Sequence, residues 1–134
     1  MDCLFCKIIN KEIPAKIIYE DDNYLSFLDI NPNTKGHTLV IPKKHTDTFN
    51  NLSDQEAGDL ALKVHYIAQR LIKLLNTEHY NLGLNNGSNA GQIVNHVHWH
   101  IIPRYENDGL KHWGAKKEEI DILEETFNKL KGKI

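Results

Sequence analysis

The 134-residue sequence lacks several features that would assign a protein to a class at once. No segment approaches the ~18 consecutive apolar residues of a membrane-spanning helix, and the N-terminus has no apolar signal-peptide region. The 16 basic and 18 acidic residues leave a formal charge of −2, without a long run of either sign. The basic surface of a general nucleic-acid-binding protein is therefore missing. We expect a cytoplasmic protein whose function requires neither a membrane nor nucleic acid.

Cysteine is scarce, because the chain contains only Cys3 and Cys6. A chain of this length buries about two-thirds of its unfolded-state surface, so we expect one domain over residues 1–134 that folds without cross-links. A redox C-x-x-C motif follows a strand and opens a helix, and no strand fits before Cys3. The spacing also fits half of a zinc site completed by histidines, and two free thiols are the alternative.

Internal repeats and low-complexity tracts are also missing, and the remaining pattern predicts alternating short elements. The predicted elements are helices over residues 7–13, 54–75 and 116–133, strands over 16–22, 23–30, 37–42 and 80–85, and loops over 31–36 and 86–92. Ser53 and Glu56 form a capping box at the start of the second helix. Strands joined by short turns favour an antiparallel sheet with helices to one side, which is an α+β fold.

The predicted C-terminal helix carries one apolar stripe at helical spacing. The stripe consists of Ile120, Leu123, Phe127 and Leu130. Such a stripe is typical of a helix that packs on a core, so we predict a structural role for it.

The stretch HVHWHIIPR, residues 96–104, places three of the eight histidines at alternate positions. Strict alternation predicts a β-strand that has His96, His98 and His100 on one face and apolar residues on the other. At a rise of ~3.4 Å per residue, successive imidazoles lie roughly 7 Å apart. The apolar face is an ordinary core face, so the histidine face is the one that needs a functional explanation.

Two chemistries fit a row of histidines. One is a metal centre, although the row is spread out and the next acidic residue after His98 is Glu106. The other is nucleophilic catalysis at phosphorus, because neutral imidazole attacks phosphorus and leaves a labile phosphoramidate. A second histidine and the amides of the glycine loop over 86–92 then contact the phosphate. That loop is not a P-loop, since the G-K-[ST] ending and the following helix are missing.

The row fits the pattern His-φ-His-φ-His-φ-φ, where φ is apolar, and the chain resembles the histidine triad (HIT) family of nucleotide hydrolases and transferases. The resemblance extends over residues 5–32, 36–45 and 84–104, in the expected order. It is closer to the Hint-like branch, including its bacterial zinc-containing members, than to the diadenosine polyphosphate hydrolases. The resemblance implies a homodimer. Each subunit would have a five-stranded antiparallel sheet, a long helix and short terminal helices, and would react without a catalytic metal at the α-phosphorus of a purine nucleotide.

The same resemblance implies roles for individual residues. His98 resembles the nucleophile, His100 the residue that binds the α-phosphate, and His37 an outlying histidine that supports the pair. The other residues that resemble the nucleotide site are Phe5, Ile8 and Phe27 for the base, Asp29 for the ribose, and Asn85, Gly91 and Gln92 for phosphate and leaving group. Those that resemble a structural zinc site are Cys3, Cys6, His45 and His96.

Two positions leave questions open. Ile93 stands where many relatives have Ser, so a hydroxyl that could assist the leaving group is missing and the leaving-group preference is open. Trp113 is either a core residue or a residue lent to the partner subunit's pocket, and we favour the core.

The resulting hypothesis is a nucleoside 5′-phosphoramidate hydrolase that acts on AMP or GMP conjugates through a nucleotidyl-His98 intermediate. The alternative is a nucleotide-binding interaction or sensor protein with incidental turnover. Intact His37, His98 and His100 favour catalysis, because a pure binder needs no free nucleophile. A redox or metal-handling module around Cys3 and Cys6 would leave the histidine row unexplained.

Overall fold

Five strands form one antiparallel sheet in the computed structural model, which describes residues 2–111 and 120–134. The strands are β1 (Ile17–Glu20), β2 (Tyr24–Leu28), β3 (Thr38–Pro42), β4 (His79–Leu84) and β5 (Trp99–Arg104), in the spatial order β1-β2-β3-β5-β4. Each neighbouring pair is antiparallel. The predicted α+β fold with a five-stranded antiparallel sheet is confirmed.

The described helices are α1 (Leu4–Ile9), α2 (Asp54–Leu74) and α3 (Ile120–Leu130). The capping box of α2 is present, because the Ser53 hydroxyl accepts from the Glu56 amide and the Glu56 carboxylate accepts from the Ser53 amide. The predicted bounds of the first helix, 7–13, are wrong. Extended Cys3 is the N-cap, and the chain leaves the helix after Ile9, with Lys11 at a φ of 62°.

The sheet separates two apolar clusters, and each cluster includes a helix. On one face, Phe5 and Ile8 of α1 pack with residues of β2 and β3 that include Leu39. On the other face, α2 packs with Val40 and Ile101. The prediction of helices to one side is therefore wrong, because successive residues of β3 point to opposite faces and each face has its own helix.

The histidine row begins before the strand to which the sequence assigned it. Strand β5 starts at Trp99, so His96 and His98 lie in the irregular segment that precedes it. There the His96 amide donates to the Val94 carbonyl and the Val97 amide donates to the Thr46 carbonyl, so this segment leaves the β3–β5 ladder. The predicted division of faces still holds, because Val97 packs in the α2 cluster while the His98 ring contacts Phe5 in the α1 cluster.

The predicted packing of the C-terminal helix is wrong for the residues of its stripe that can be assessed. Leu123, Phe127 and Leu130 of α3 are 66%, 52% and 46% exposed. The side chain of Ile120 and the whole of Trp113 lie outside the described residues. Among the described helices, none combines the length and the apolar character needed to cross a membrane.

Candidate active site and metal centre

His98 is held with one ring nitrogen committed to the main chain. Its Nδ1 lies 2.7 Å from the carbonyl oxygen of His96. A carbonyl only accepts hydrogen bonds, so Nδ1 carries the hydrogen and Nε2 keeps its lone pair in the neutral ring. Burial lowers the pKa of His98, which favours that neutral form. The Phe5 ring contacts the His98 ring edge to face, with 5.1 Å between the centroids. The arrangement holds the free lone pair of Nε2 in one orientation.

His37 and His100 form a second hydrogen-bonded unit beside His98. The Asn33 amide donates to His37 Nδ1 at 3.0 Å, so the hydrogen of neutral His37 is on Nε2. His37 Nε2 lies 2.8 Å from His100 Nδ1, which then accepts that hydrogen. The hydrogen of His100 is consequently on its own Nε2. His100 can therefore donate to an anion, and its ring centroid is 5.0 Å from that of His98.

Burial also sets the charge state of this unit. It lowers the pKa of His37, and it lowers the pKa of His100 to about 4, with His98 and His37 adding to the effect. Both rings are thus neutral near pH 7, so the N–H donor of His100 is uncharged.

Asp29 lies next to the two histidines, and its two carboxylate oxygens contact different groups. One carboxylate oxygen accepts from the Asn31 amide at 2.8 Å, and the other is 3.6 Å from His37 Nε2. Asp29, His37 and His100 bring three potential metal ligands within 4.8 Å of one another. We interpret the group as a hydrogen-bonded unit instead, because the Asn33 amide leaves the hydrogen of His37 on the nitrogen that a metal would need.

The glycine loop is shaped by side chains that sequence analysis assigned to the phosphate site. Gln92 is buried; its Oε1 accepts from the Gly87 amide at 2.8 Å, and its Nε2 donates to the Asp47 carbonyl at 2.7 Å. Asn85 Nδ2 donates to the Gly91 carbonyl at 3.3 Å. Gly91 has a φ of 86°, a left-handed conformation that favours glycine. These bonds hold the loop in one shape ahead of His98.

The residues predicted to line the base pocket lie together beside His98. Phe5 and Phe27 meet edge to face at 5.4 Å, and Ile8 packs in the same cluster. Phe5, Ile8 and Phe27 are all buried, with exposed fractions of 4%, 7% and 4%. Ile93, by contrast, is 92% exposed beside Gln92 and is free to contact a bound molecule.

A second cluster brings together the four residues predicted to bind zinc. Cys6 Sγ lies 3.3 Å from His45 Nδ1 and 3.7 Å from His96 Nδ1, and Cys3 Sγ lies 3.6 Å from His96 Nδ1. Zinc bonds of ~2.0 Å to nitrogen and ~2.3 Å to sulfur in a tetrahedron separate the ligand atoms by roughly 3.5 Å. These distances fit one tetrahedral ion.

The hydrogen positions of this cluster also fit a cation. His45 Nε2 lies 2.6 Å from an Asp47 carboxylate oxygen, and His96 Nε2 donates to the Pro42 carbonyl at 2.7 Å. Both rings therefore direct the Nδ1 lone pair at the sulfurs. Burial and the neighbouring Cys3 raise the pKa of Cys6 to about 11, so a cation is needed to keep the Cys6 sulfur as a thiolate near neutral pH.

Sequence analysis missed the groups that orient these histidines. The amide of Asn33 and the carbonyls of Pro42 and His96 belong to the main chain, so residue identity gives no signal for them. Asp47 was detectable in principle, because carboxylates are common orienting partners of metal-bound histidines and Asp47 lies two residues after His45.

An α+β sheet that presents a hydrogen-bonded histidine group beside a glycine loop defines a protein of the histidine triad class. A sequence model of the HIT domain matches residues 10–107. A HIT-like protein of Methanocaldococcus jannaschii is 50% identical over 97% of this chain and 99% of its own. The chain belongs to the HIT family.

Two further similarities concern chemistry. A protein named adenosine 5′-monophosphoramidase from Schizosaccharomyces pombe is 40% identical over 98% of this chain and 100% of its own. A zinc-bound histidine triad family protein from Mycobacterium smegmatis is similar in structure, with a TM-score of 0.78 and 40% identity over 83% of this chain and 81% of that one. The family thus includes a nucleotide phosphoramidase and a zinc-bound protein.

Proposed function

We propose that the protein hydrolyses purine nucleoside 5′-phosphoramidates or related nucleotidyl conjugates, with AMP or GMP as the product. The observation that carries the proposal is the arrangement of His98, whose Nδ1 is held by the His96 carbonyl so that Nε2 is free to attack. The similarity to the adenosine 5′-monophosphoramidase of Schizosaccharomyces pombe supports the substrate class.

The proposed reaction has two displacements at the α-phosphorus. In the first, the lone pair of His98 Nε2 forms an N–P bond while the bond to the leaving nitrogen breaks; the leaving amine keeps that electron pair and takes a proton from solvent. In the second, water attacks phosphorus and releases a proton, and the bond to His98 breaks. The Nε2 hydrogen of His100 and the amides of the glycine loop meet the charge on the phosphate oxygens.

The proposed nucleotide contacts follow the sequence analysis. Asp29 contacts the ribose hydroxyls, and Phe5, Ile8 and Phe27 form the wall beside the base. Asn85, Gly91 and Gln92 shape the loop that contacts phosphate and leaving group. His37 acts through His100, whose ring it orients.

We propose a structural zinc ion held by Cys3, Cys6, His45 and His96. Four protein ligands leave no open position, so the ion supplies cross-linking rather than chemistry at phosphorus. The distances between sulfur and nitrogen support this proposal, as does the similarity to a zinc-bound protein of Mycobacterium smegmatis.

We also propose a homodimer, which the family resemblance implies. Strand β4 lies at the edge of the described sheet, and Leu82 on it is 38% exposed, which leaves this edge available for a second copy. Sedimentation equilibrium tests the proposal, and a single species of monomer mass at micromolar concentration would contradict it.

The central test is the substitution His98→Ala. Loss of a covalent nucleophile is expected to lower kcat at least about a thousandfold, which corresponds to ~4 kcal/mol of barrier. Nucleotide binding should survive, since the pocket wall comes from other residues. Rapid mixing of the wild-type protein with labelled substrate, followed by quenching in base, should leave labelled nucleotide on His98.

The matched control is His65→Ala, which removes an exposed histidine from α2 and should leave kcat unchanged. A His98→Ala protein that keeps a tenth of the wild-type rate would exclude His98 as the nucleophile. If the protein is instead a nucleotide-binding sensor with incidental turnover, the wild type and His98→Ala should both bind nucleotide tightly and turn substrate over equally slowly.

A further inference from the structure

Asp47 contacts both candidate sites, although it belongs to neither ligand set. Its side chain lies against the metal-site histidine His45, and its main-chain carbonyl accepts from Gln92 in the glycine loop. Asp47 is the residue common to these two hydrogen bonds.

The side-chain contact bears on metal binding. The 2.6 Å bond from His45 Nε2 to the carboxylate places the ring hydrogen on Nε2 and directs the Nδ1 lone pair at Cys6. Without it, neutral His45 is free to carry its hydrogen on Nδ1, a form that cannot bind a cation there. The carboxylate is 59% exposed, so its removal leaves no buried cavity.

The main-chain contact bears on the glycine loop. Gln92 Nε2 donates to the Asp47 carbonyl at 2.7 Å, and Gln92 Oε1 accepts from the Gly87 amide at 2.8 Å. The Phe49 amide also donates to Asn86 Oδ1 at 2.8 Å, which joins the same two segments a second time. A displacement of the segment around Asp47 therefore reaches the loop directly.

We propose that Asp47 is a positioning residue that couples metal binding at His45 to the conformation of the glycine loop. The proposal rests on the zinc site proposed above. When His45 binds the ion, its bond to the Asp47 carboxylate immobilises the segment, and the Asp47 carbonyl then holds Gln92 and, through it, the Gly87 amide. In the metal-free chain, the side chains of His45 and Gln92 are more mobile and the glycine loop is less ordered.

The first measurement is zinc affinity, by competition with a chromogenic chelator of known affinity. Asp47→Ala is expected to weaken zinc binding about 10- to 100-fold, the usual effect of removing an orienting partner of a metal-bound histidine. Asp47→Asn keeps an acceptor oxygen and should recover part of the loss. The control Asp22→Ala removes an exposed carboxylate from the turn between β1 and β2 and should bind zinc as the wild type does. Asp47→Ala affinity within twofold of the wild type would overturn the proposal.

The second measurement is hydrogen exchange of the Gly87 amide, which reports its bond to Gln92 without requiring turnover. Zinc should slow this exchange in the wild type, and should slow it less in Asp47→Ala even when the ion is saturating. An exchange rate that zinc leaves unchanged in the wild type would overturn the coupling. Failure of the wild type to bind zinc would overturn both the metal site and this inference. A wild-type protein that shows the expected zinc binding and the expected zinc effect on Gly87 amide exchange, but no turnover, would contradict only the proposed enzymatic function.

Discussion

At the scale of single residues, main-chain groups decide what each histidine can do. The Asn33 amide, the His96 carbonyl and the Pro42 carbonyl each occupy one ring nitrogen of a different histidine. When a main-chain amide donates to one ring nitrogen, the hydrogen of the neutral ring is on the other nitrogen. When a main-chain carbonyl accepts from one ring nitrogen, the other nitrogen keeps its lone pair. His96 and His98 thus each keep one ring nitrogen with a free lone pair, and His37 sets the hydrogen position of His100 through their shared hydrogen bond.

The first residue-scale prediction concerns these hydrogen positions. In the metal-loaded protein near pH 7.5, the neutral rings of His37 and His100 should carry hydrogen on Nε2, and that of His98 on Nδ1. Two-bond ¹⁵N–¹H correlation spectra distinguish the two tautomers of each ring. A His100 ring with hydrogen on Nδ1 would contradict the chain of hydrogen bonds from Asn33 through His37 to His100. It would also leave His100 without an Nε2 hydrogen to donate to a phosphate oxygen.

The second residue-scale prediction concerns stability in acid. Burial lowers the pKa of His100 in the folded chain to about 4, against an ordinary value of 6.5. Above about pH 6.5 the ring is neutral in both states, and its contribution to stability is complete. As the pH falls from there to about 4, the unfolded chain takes up a proton that the folded chain does not. The free energy of unfolding then decreases by up to ~1.4 kcal/mol per pH unit from this ring.

Urea unfolding of the wild type and of His100→Gln, from about pH 7.5 to about pH 4.5, isolates this contribution. The variant should lose stability less steeply, because it lacks one titrating group. Asp108 does not interfere, since its hydrogen bond with Arg104 holds the pKa of that carboxyl well below this range. Equal slopes for the two proteins would show that His100 is not protected from protonation by folding.

At the scale of elements, the site depends on how the loop between β2 and β3 meets the end of α2. Gly36 in this loop has a φ of 87°, and a Cβ on it would overlap Cδ1 of Leu75, the C-cap residue of α2. The Thr34 hydroxyl donates to the Pro103 carbonyl at 2.6 Å and anchors the same loop to β5. The loop therefore fixes His37, which follows Gly36 directly, relative to the sheet.

Gly36→Ala is expected to lower the free energy of unfolding by about 1–2 kcal/mol, because alanine is unfavourable at this left-handed φ and Cδ1 of Leu75 has to move to make room. The matched variant is Gly58→Ala within α2, where a Cβ meets no atom within 4 Å. That change should stabilise the protein by up to about 1 kcal/mol through helix propensity. Urea unfolding of the two proteins gives the comparison, and a Gly36→Ala protein as stable as the wild type would refute the role of Gly36.

At the scale of the whole molecule, the cluster of Cys3, Cys6, His45 and His96 joins segments that are far apart in sequence. Cys3 at the start of α1 meets His96, 93 residues later, and Cys6 meets His45, 39 residues later. The apolar cluster on the α2 face contains none of these four residues, whereas Cys3 belongs to the cluster on the α1 face and Cys6 packs against it. A cross-link of this kind stabilises one corner of a molecule that has its own core.

Removal of zinc, or the substitution Cys3→Ser, should therefore lower the melting temperature by several degrees without unfolding the chain. It should also weaken substrate binding, since Phe5 of α1 packs against His98. Elemental analysis and calorimetry of protein purified without chelators provide the test. Well under one zinc per chain, in protein whose thiols are reduced, would exclude the metal site.

Local sequence patterns predicted the sheet, the capping box of α2 and the two faces of the histidine row, because each depends on residues close in sequence. They were wrong about the bounds of α1, the start of β5 and the burial of the α3 stripe. These features depend on tertiary contacts. The amide of Val97, for example, bonds to Thr46 instead of extending the β5 ladder. The predicted site roles stay predictions until the variants above are measured.

The sequence by itself determined which side chains are candidates for the two sites, because alternation, cysteine spacing and glycine content are properties of short stretches. Only the tertiary structure decided what each one contacts. His37 reaches His100 across 63 residues because β3 pairs with β5 in a register that puts Leu39 opposite His100. The tautomers are likewise set by main-chain groups whose positions depend on the whole fold, since every residue type carries the same amide and carbonyl.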